Sequence, residues 1–390
     1  MNATVAAIIP TRNRPELAIQ AIGSLLAQDQ PVEIFVSDNS PSPEPALRTF
    51  CDGAVTYLRP GESLGQARHW DWAIGEAMKR SSATHFTVHY DRKVSKPDFL
   101  GRVGPIVRSR PDMLICWPVD YVADVPPPMR LWQPPWTGKL YALRTGRIVE
   151  LVAAGRAGAI HSHALPLLSN CLVPRAVLAE AVDRFGTLCD STTPDSCFAF
   201  RFAALRDRYL YLDRPLGVLH APHRSAGSGY AGGGGGDWED FQKQWGDAEW
   251  LAAAPIPGLN LGLNMLYHEY ELVRRTVGDG FPPIRFAAYL DDLARGLDLM
   301  PDRQSKAALR RVLEAKGWQG GERSRSLGSL VRRRLLDPLE TRLGLRRPNA
   351  SGRIFRRDED ALRHALTHPR RPQEASDHLD LLEPVRVDAG

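Results

Sequence analysis

Along the first hundred residues, short apolar runs alternate with longer stretches whose apolar positions recur every three to four residues. Thr4–Pro10, Val32–Val36, Val55–Leu58 and His85–Val88 are runs of the first kind, set off by Pro, Asn, Asp and Gly, and they predict strands. The stretch that begins at Pro15 places Ala18, Ala21, Ile22, Leu25 and Leu26 on one helical face, and the proline suits a first helical turn after Asn13 and Arg14. Ala67, Trp70, Ile74, Ala77 and Met78 form a second such face. Strands and helices alternating at this spacing predict an α/β fold, a mostly parallel sheet flanked by helices. Ligands of such sheets bind at the carboxyl ends of the strands.

The pattern then loosens. A strand is predicted over Asp112–Tyr121, followed by the proline-rich "VPPPMRLWQPPW", which reads as an extended excursion. Arg175–Phe185 and Pro194–Arg206 predict helices, and "RYLYLDRPLGVLHA" restores strand character. The run "HRSAGSGYAGGGGGDW" marks a lid or a linker, because so many glycines leave the backbone mobile. Trp238 to about Trp318 is helix-rich, and no internal repeat is present. The expected organisation is a domain over 1–235, with halves 1–110 and 111–235, a helical C-terminal region over 236–320, and a basic tail over 321–390.

Composition narrows the class. With 390 residues, 43% of them hydrophobic, the chain can fill a substantial core. No apolar run approaches the roughly 18 residues that would span a bilayer, and no basic-plus-apolar leader opens the sequence, so a cytoplasmic protein is expected. Cys51, Cys116, Cys171, Cys189 and Cys197 are far apart and make no CxxC pair, which points away from a zinc site or a disulfide framework. The net charge of +5 is uneven: Gly321–Arg357 carries eleven arginines against three acids, a local +8, leaving about −3 for the remainder. In "LGSLVRRRLLDPLETRLGLRR" within 321–357, Leu327, Val331, Leu335, Leu339 and Leu343 share a face opposite the arginines, a pattern suited to an anionic membrane surface, although Pro338 interrupts it. No nucleic-acid reader motif accompanies these arginines, so nucleic acid is not an expected partner.

Several motifs carry chemistry. "VAAIIPTRNRPELAIQAIGSLLAQ" followed by "VEIFVSDNSP", then "YLRPGESLGQARHWDWAIGEA" and "HYDRKVSKPDFL", resembles glycosyltransferase family 2, over roughly residues 4 to 225 and most strongly in the first hundred. The resemblance implies a GT-A fold, an inverting mechanism, and a nucleotide-sugar donor such as a UDP-, GDP- or dTDP-sugar. It also implies a glycan or lipid-linked acceptor in bacterial surface polysaccharide or glycolipid synthesis, with a location in the cytoplasm or peripheral on the inner face of the cell membrane. Carried over, it assigns Pro10, Thr11 and Asp38 to the nucleoside and Arg14 to the phosphates. A carboxylate at a strand end can accept from a base N–H or a ribose hydroxyl, which agrees.

The family's Asp-x-Asp element, whose carboxylates hold Mg²⁺ or Mn²⁺, falls here on Tyr90, Asp91 and Arg92, with Lys93 next, so the motif is degenerate. Two arrangements remain open. Arg92 and Lys93 can supply fixed positive charge to the diphosphate in place of a metal, which is the arrangement expected. Alternatively His89, Asp91 and His220 can bind Mn²⁺ or Mg²⁺. The resemblance also implies a general base at the start of a helix in the acceptor half; the matching stretch "DSTTPDSCFAFRFAAL" makes Asp195 the candidate, its pKa expected to be held down by the helix N-terminus, with Asp190 in reserve. His220, His223 and Arg224 precede the glycine run and are placed to close on the diphosphate. Trp117, Trp132 and Trp136 are candidates for stacking on a sugar face.

Two rivals are weighed. A non-catalytic nucleotide-sugar binding protein or scaffold that has lost its metal site would bind donor without turnover. Nucleotidyl transfer normally opens with a glycine-rich phosphate loop, and none follows Ile9.

Overall fold

A computed structural model describes residues 4–123, 129–160, 164–221, 224, 251–299, 303–320, 351–355, 358–368, 372–373 and 379–387. In chain order the first strands are β1 (Val5–Thr11), β2 (Glu33–Asp38), β3 (Thr56–Leu58), β4 (His85–Val88), β5 (Lys93–Ser95), β6 (Ile115–Cys116) and β7 (Asp120–Ala123). They are followed by β8 (Met129–Trp132), β9 (Leu140–Arg144), β10 (Cys171–Pro174), β11 (Arg208–Leu212), β12 (Gly217–Leu219), β13 (Ser351–Phe355) and β14 (Val385–Val387). Between them lie the helices α1 (Pro15–Leu26), α2 (Pro45–Phe50), α3 (Gln66–Arg80), α4 (Phe99–Ser109), α5 (Thr145–Ala153), α6 (Ala157–Ile160), α7 (Arg175–Phe185) and α8 (Pro194–Leu205).

The central sheet has nine strands in the order β14-β9-β11-β6-β10-β4-β1-β2-β3. β1 lies between β2 and β4, parallel to both, with Thr11 opposite Asp38 and Ile8 opposite Val88. Only β9 and β10 run against the other seven strands. Every residue of β1 is buried, as a parallel interior strand requires. Its period of two divides the core. Val5, Ala7 and Ile9 face α1 and α4, meeting Ala18, Ala21, Ile22, Leu25, Val103 and Ile106. Ala6 and Ile8 face the opposite layer, with Trp70, Ala73 and Ile74 of α3 and Phe198 of α8.

A second sheet, of order β13-β8-β7-β12-β5, was not legible in the sequence. The chain leaves the central sheet after β4, passes through Tyr90, Asp91 and Arg92, and enters the second sheet at Lys93. Those three residues therefore link the sheets. The strand expected over Asp112–Tyr121 is divided between them as β6 and β7 around Pro118, and "RYLYLDRPLGVLHA" is divided likewise as β11 and β12 around Pro215. Proline lacks the N–H that an unbroken ladder would need. Within the expected excursion, Met129–Trp132 pairs as β8.

The C-terminal region is helical, with helices Gly262–Val277, Phe286–Arg295 and Arg303–Ala315. The first packs on α8, where Phe200 and Tyr270 meet edge to face at 5.4 Å. The second approaches the α5–α6 turn so closely that a Cβ on Gly155, at φ +70°, would stand 2.3 Å from the Ala288 carbonyl oxygen. Part of the expected tail returns to the domain. Ser351–Phe355 and Val385–Val387 add edge strands to the two sheets, and helix Asp358–Thr367 lays Ala361, Leu362 and Ala365 on Val94, Val122, Leu131 and Val218. Pairing sheet edges satisfies N–H and C=O groups that would otherwise be open. The glycine run from residue 225, His223, and the arginine-rich residues 321–350 lie outside the described residues. Among those described, no helix is long and apolar enough to cross a membrane, and all five cysteines are buried free thiols.

Candidate active site

Four charged or polar residues singled out in the sequence meet at the carboxyl ends of β1 and β4. Thr11 Oγ1 donates to Asp91 Oδ2 at 2.9 Å, and Arg14 Nε lies 2.8 Å from the same oxygen as an ion pair. Asp91 is 2% exposed. The turn from β1 into α1, preceded by Pro10, passes through Asn13 in the left-handed region at φ 55°, a conformation asparagine tolerates better than most residues. Arg224, distant in sequence, closes around this turn. Its guanidinium reaches Glu16 at 2.9 Å and the Asn13 carbonyl at 3.1 Å, while its own carbonyl accepts from Arg14 Nη1 at 2.5 Å. Arg14 has five N–H donors, so these contacts leave capacity for an anion.

Asp38 lies one strand away and is differently placed. It is fully buried, accepting from the Ser40 N–H at 2.9 Å, Tyr57 Oη at 2.6 Å and the Glu44 N–H at 3.2 Å, with Arg59 Nη1 at 3.3 Å. Burial raises its pKa, but the hydrogen bonds from Ser40, Tyr57 and Glu44 outweigh it and hold the carboxyl below the usual carboxylate value. Tyr57 and Arg59 thus belong to this corner, although the stretch "YLRPGESLGQ" that contains them had suggested no role for either.

Of the two cations after Asp91, only Arg92 stays with the strand-end cluster. Its Nη1 donates to the His220 carbonyl at 3.2 Å, the His220 N–H returns to the Arg92 carbonyl at 3.0 Å, and the guanidinium lies 5.4 Å from the Tyr90 ring centre. Lys93 does not face the place expected for a diphosphate. It is 3% exposed, and its Nζ donates to the Ser169 carbonyl at 2.5 Å, after a tight turn closed by the Lys93 N–H on the Tyr90 carbonyl at 3.0 Å.

The alternative metal set is not assembled either. His89 Nδ1 is hydrogen-bonded to the Tyr90 carbonyl at 3.0 Å and its Nε2 to Ser95 Oγ at 2.9 Å, so both ring nitrogens are taken. Burial pushes its pKa well below the usual imidazole value. Asp91 is committed to Thr11 and Arg14. Among the described residues no three His, Cys, Asp or Glu side chains are grouped to hold a metal ion. The residues present thus do not fit a divalent cation at Tyr90–Arg92.

Asp195 occupies the first turn of α8, after Pro194. Tyr90 Oη and Ser169 Oγ, the latter at 3.1 Å, both donate to Asp195 Oδ2. Oδ1 is buried with no hydrogen-bond partner. The carboxyl is pushed up to about 6, not held down by the helix terminus: burial outweighs the hydrogen bonds from Tyr90 and Ser169 and the charges of Lys93 and Arg92. Burial also brings the Lys93 ammonium down to about 7. Asp190, the reserve candidate, is instead paired with Arg201 at 2.5 Å and is half exposed.

The helical C-terminal region reaches this corner through Glu269, which is fully buried. Its Oε1 accepts from Thr192 Oγ1 at 2.7 Å, the Thr193 N–H at 2.8 Å and Thr193 Oγ1 at 3.0 Å, directly before α8. A signal for it existed, because Met265, Leu266 and Val273 place Glu269 on the apolar face of its own helix. Tyr90 and Ser169 gave none. Trp117 and Trp136, candidates for sugar stacking, are core residues at 2% and 6% exposure. Trp117 packs on Phe99 at 5.2 Å and Trp136 under the Arg214 guanidinium at 4.9 Å.

No protein-family model matches this chain, and no curated protein sequence does. Solved structures do match it. S. aureus TarS is similar at 12% identity and a TM-score of 0.43, over 80% of this chain and 53% of TarS. This chain therefore spans about half the length of that relative. TarS 1-349 in complex with UDP-GlcNAc is similar at 14% identity and 0.44, over 80% of this chain and 86% of that one. The mannosyltransferase PcManGT from Pyrobaculum calidifontis, in complex with GDP-Man and Mn²⁺, is similar at 16% identity and 0.40, over 81% of each chain.

Proposed function

We propose that the protein is a GT-A, inverting glycosyltransferase that moves a sugar from a nucleotide-sugar donor to the hydroxyl of a glycan or lipid-linked acceptor without a bound metal ion. The observation that carries this reading is the convergence on one three-residue link. Asp91 joins Thr11 and Arg14, and Arg14 in turn joins Arg224, on one side, while Tyr90 reaches the buried carboxylate of Asp195 on the other. Strand carboxyl ends are where such sheets bind their ligands.

The roles follow from chemistry. Pro10, Thr11 and the Asp38 corner line the nucleoside side. Arg14, Arg92 and Arg224 offer guanidinium donors to the leaving diphosphate, and His220 fixes Arg92 through two backbone contacts. Asp195 takes the acceptor proton as the acceptor oxygen attacks the anomeric carbon. A carboxylate near that carbon also favours the oxocarbenium-like transition state.

Calorimetric titration with UDP, GDP and dTDP, each in EDTA and again with Mn²⁺, tests the donor side. One nucleotide is expected to bind in EDTA and to gain little from Mn²⁺. Binding that needs Mn²⁺ overturns the metal-free site. Failure of all three to bind overturns the glycosyltransferase reading.

A further inference from the structure

Tyr90 stands where the family resemblance would put a metal-binding carboxylate, yet its hydroxyl is turned to Asp195. Its ring is fixed on both sides, edge-on to Trp70 at 5.6 Å between ring centres and under Arg92 at 5.4 Å. Asp195 is held just as firmly, with Oδ2 taken by Tyr90 and Ser169 and Oδ1 left as its one buried oxygen without a partner. We infer that Tyr90 is a positioning residue for transfer: with Ser169 it holds Asp195 by Oδ2, so that Oδ1 is the atom that takes the acceptor proton. The inference rests on the reading of Asp195 as the general base.

In that step the acceptor O–H bond breaks and its proton passes to Oδ1. The acceptor oxygen forms the new bond to the anomeric carbon, and the bond from that carbon to the diphosphate breaks, its electron pair leaving with the nucleoside diphosphate. A phenol at Tyr90 serves this arrangement in two ways. As a donor to Oδ2 it favours the ionised carboxylate, and as a rigid ring it fixes which oxygen is left without a partner. Because Tyr90 and Asp91 are consecutive, the base and the Arg14 cluster are also held at one separation.

The groups that bear on Asp195 come from several elements. Tyr90 and Arg92 come from the link between the sheets, Lys93 from β5, Ser169 from the turn before β10, Cys171 from β10 and Cys189 from the approach to α8. Tyr90, Ser169, Lys93 and Arg92 each lower its pKa. Removing the Tyr90 donor therefore raises it further.

The test is Tyr90→Phe in the full chain, which keeps the ring against Trp70 and Arg92 and removes only the hydroxyl. Nucleotide affinity is expected to stay within about twofold, while the acid limb of kcat/KM moves up by about one pH unit and activity returns at higher pH. The Asp195 carboxyl, followed by carbon NMR, is expected to move in the same direction, and Ser169→Ala to give a smaller shift of the same sign. A loss of rate equal at all pH values, or an unmoved carboxyl titration, overturns the inference and leaves the proposed function standing. A moved titration in a protein that binds nucleotide but transfers no sugar overturns the transferase reading itself, and the positioning role with it.

Discussion

The two sides of the Tyr90–Arg92 link are built on opposite principles. On the Asp91 side, polar contacts run among residues of a short turn and one distant arginine, and Arg14 keeps a side-chain exposure of 20%. On the Asp195 side, Tyr90, Lys93, Ser169 and Glu269 are drawn together from four separate elements, and burial shifts the titration of Lys93 and Asp195 toward neutral pH. A diphosphate needs many donors that are already charged and can approach it, which suits the first design. A base needs one carboxyl whose affinity for a proton lies near the working pH, which suits the second. The difference teaches that two neighbouring cations expected to act alike are placed unlike: Arg92 stays at the strand ends, while Lys93 is buried on the Asp195 side.

Three substitutions test that contrast. Asp195→Asn is expected to lower kcat by about 10²- to 10⁴-fold with nucleotide affinity unchanged, measured by single-turnover transfer beside calorimetry. Equal losses in affinity and rate would merge the two sides into one. Glu269→Ala leaves three donors before α8 without their acceptor, and a loss of about 2–4 kcal/mol in denaturant unfolding is expected, with a fall in kcat greater than any change in donor affinity. An unchanged midpoint would detach the C-terminal helices from the base. Arg14→Ala is expected to have the smallest effect on rate. It weakens nucleoside diphosphate binding about 10- to 100-fold, more at low than at high ionic strength, and leaves the acid limb set by Asp195 in place. An acid limb displaced by this change would mean that the two sides share their electrostatics.

Much of the Asp91 side was readable because it is local. Pro10, Thr11 and Arg14 lie within a single strand-turn-helix, and the strand-to-helix spacing alone predicts where that turn points. Asp38 ends β2, as the strand pattern implied, but its partners Tyr57 and Arg59 come from β3 and the residues after it, which only the packing of the sheet brings near. The Asp195 side was legible in one residue. Its surroundings depend on a second sheet whose strands are as short as three residues, too brief to leave a periodic signal. Lys93 and Tyr90 could not be oriented from sequence, because the side a residue faces depends on the sheet its strand joins.

By itself the sequence determined the alternation of buried strands and amphipathic helices, the turn carrying Thr11 and Arg14, and the single carboxylate of Tyr90–Arg92. Those are properties of neighbouring residues, set by side-chain periodicity and backbone chemistry over a few bonds. Only the tertiary structure decided that Lys93 faces Asp195, that Tyr90 and Ser169 share one carboxylate oxygen, and that Glu269 holds the start of α8. Each of these joins groups 26 to 105 positions apart in the chain. Their strength also comes from exclusion of water, a property of the folded interior that no single stretch of chain possesses.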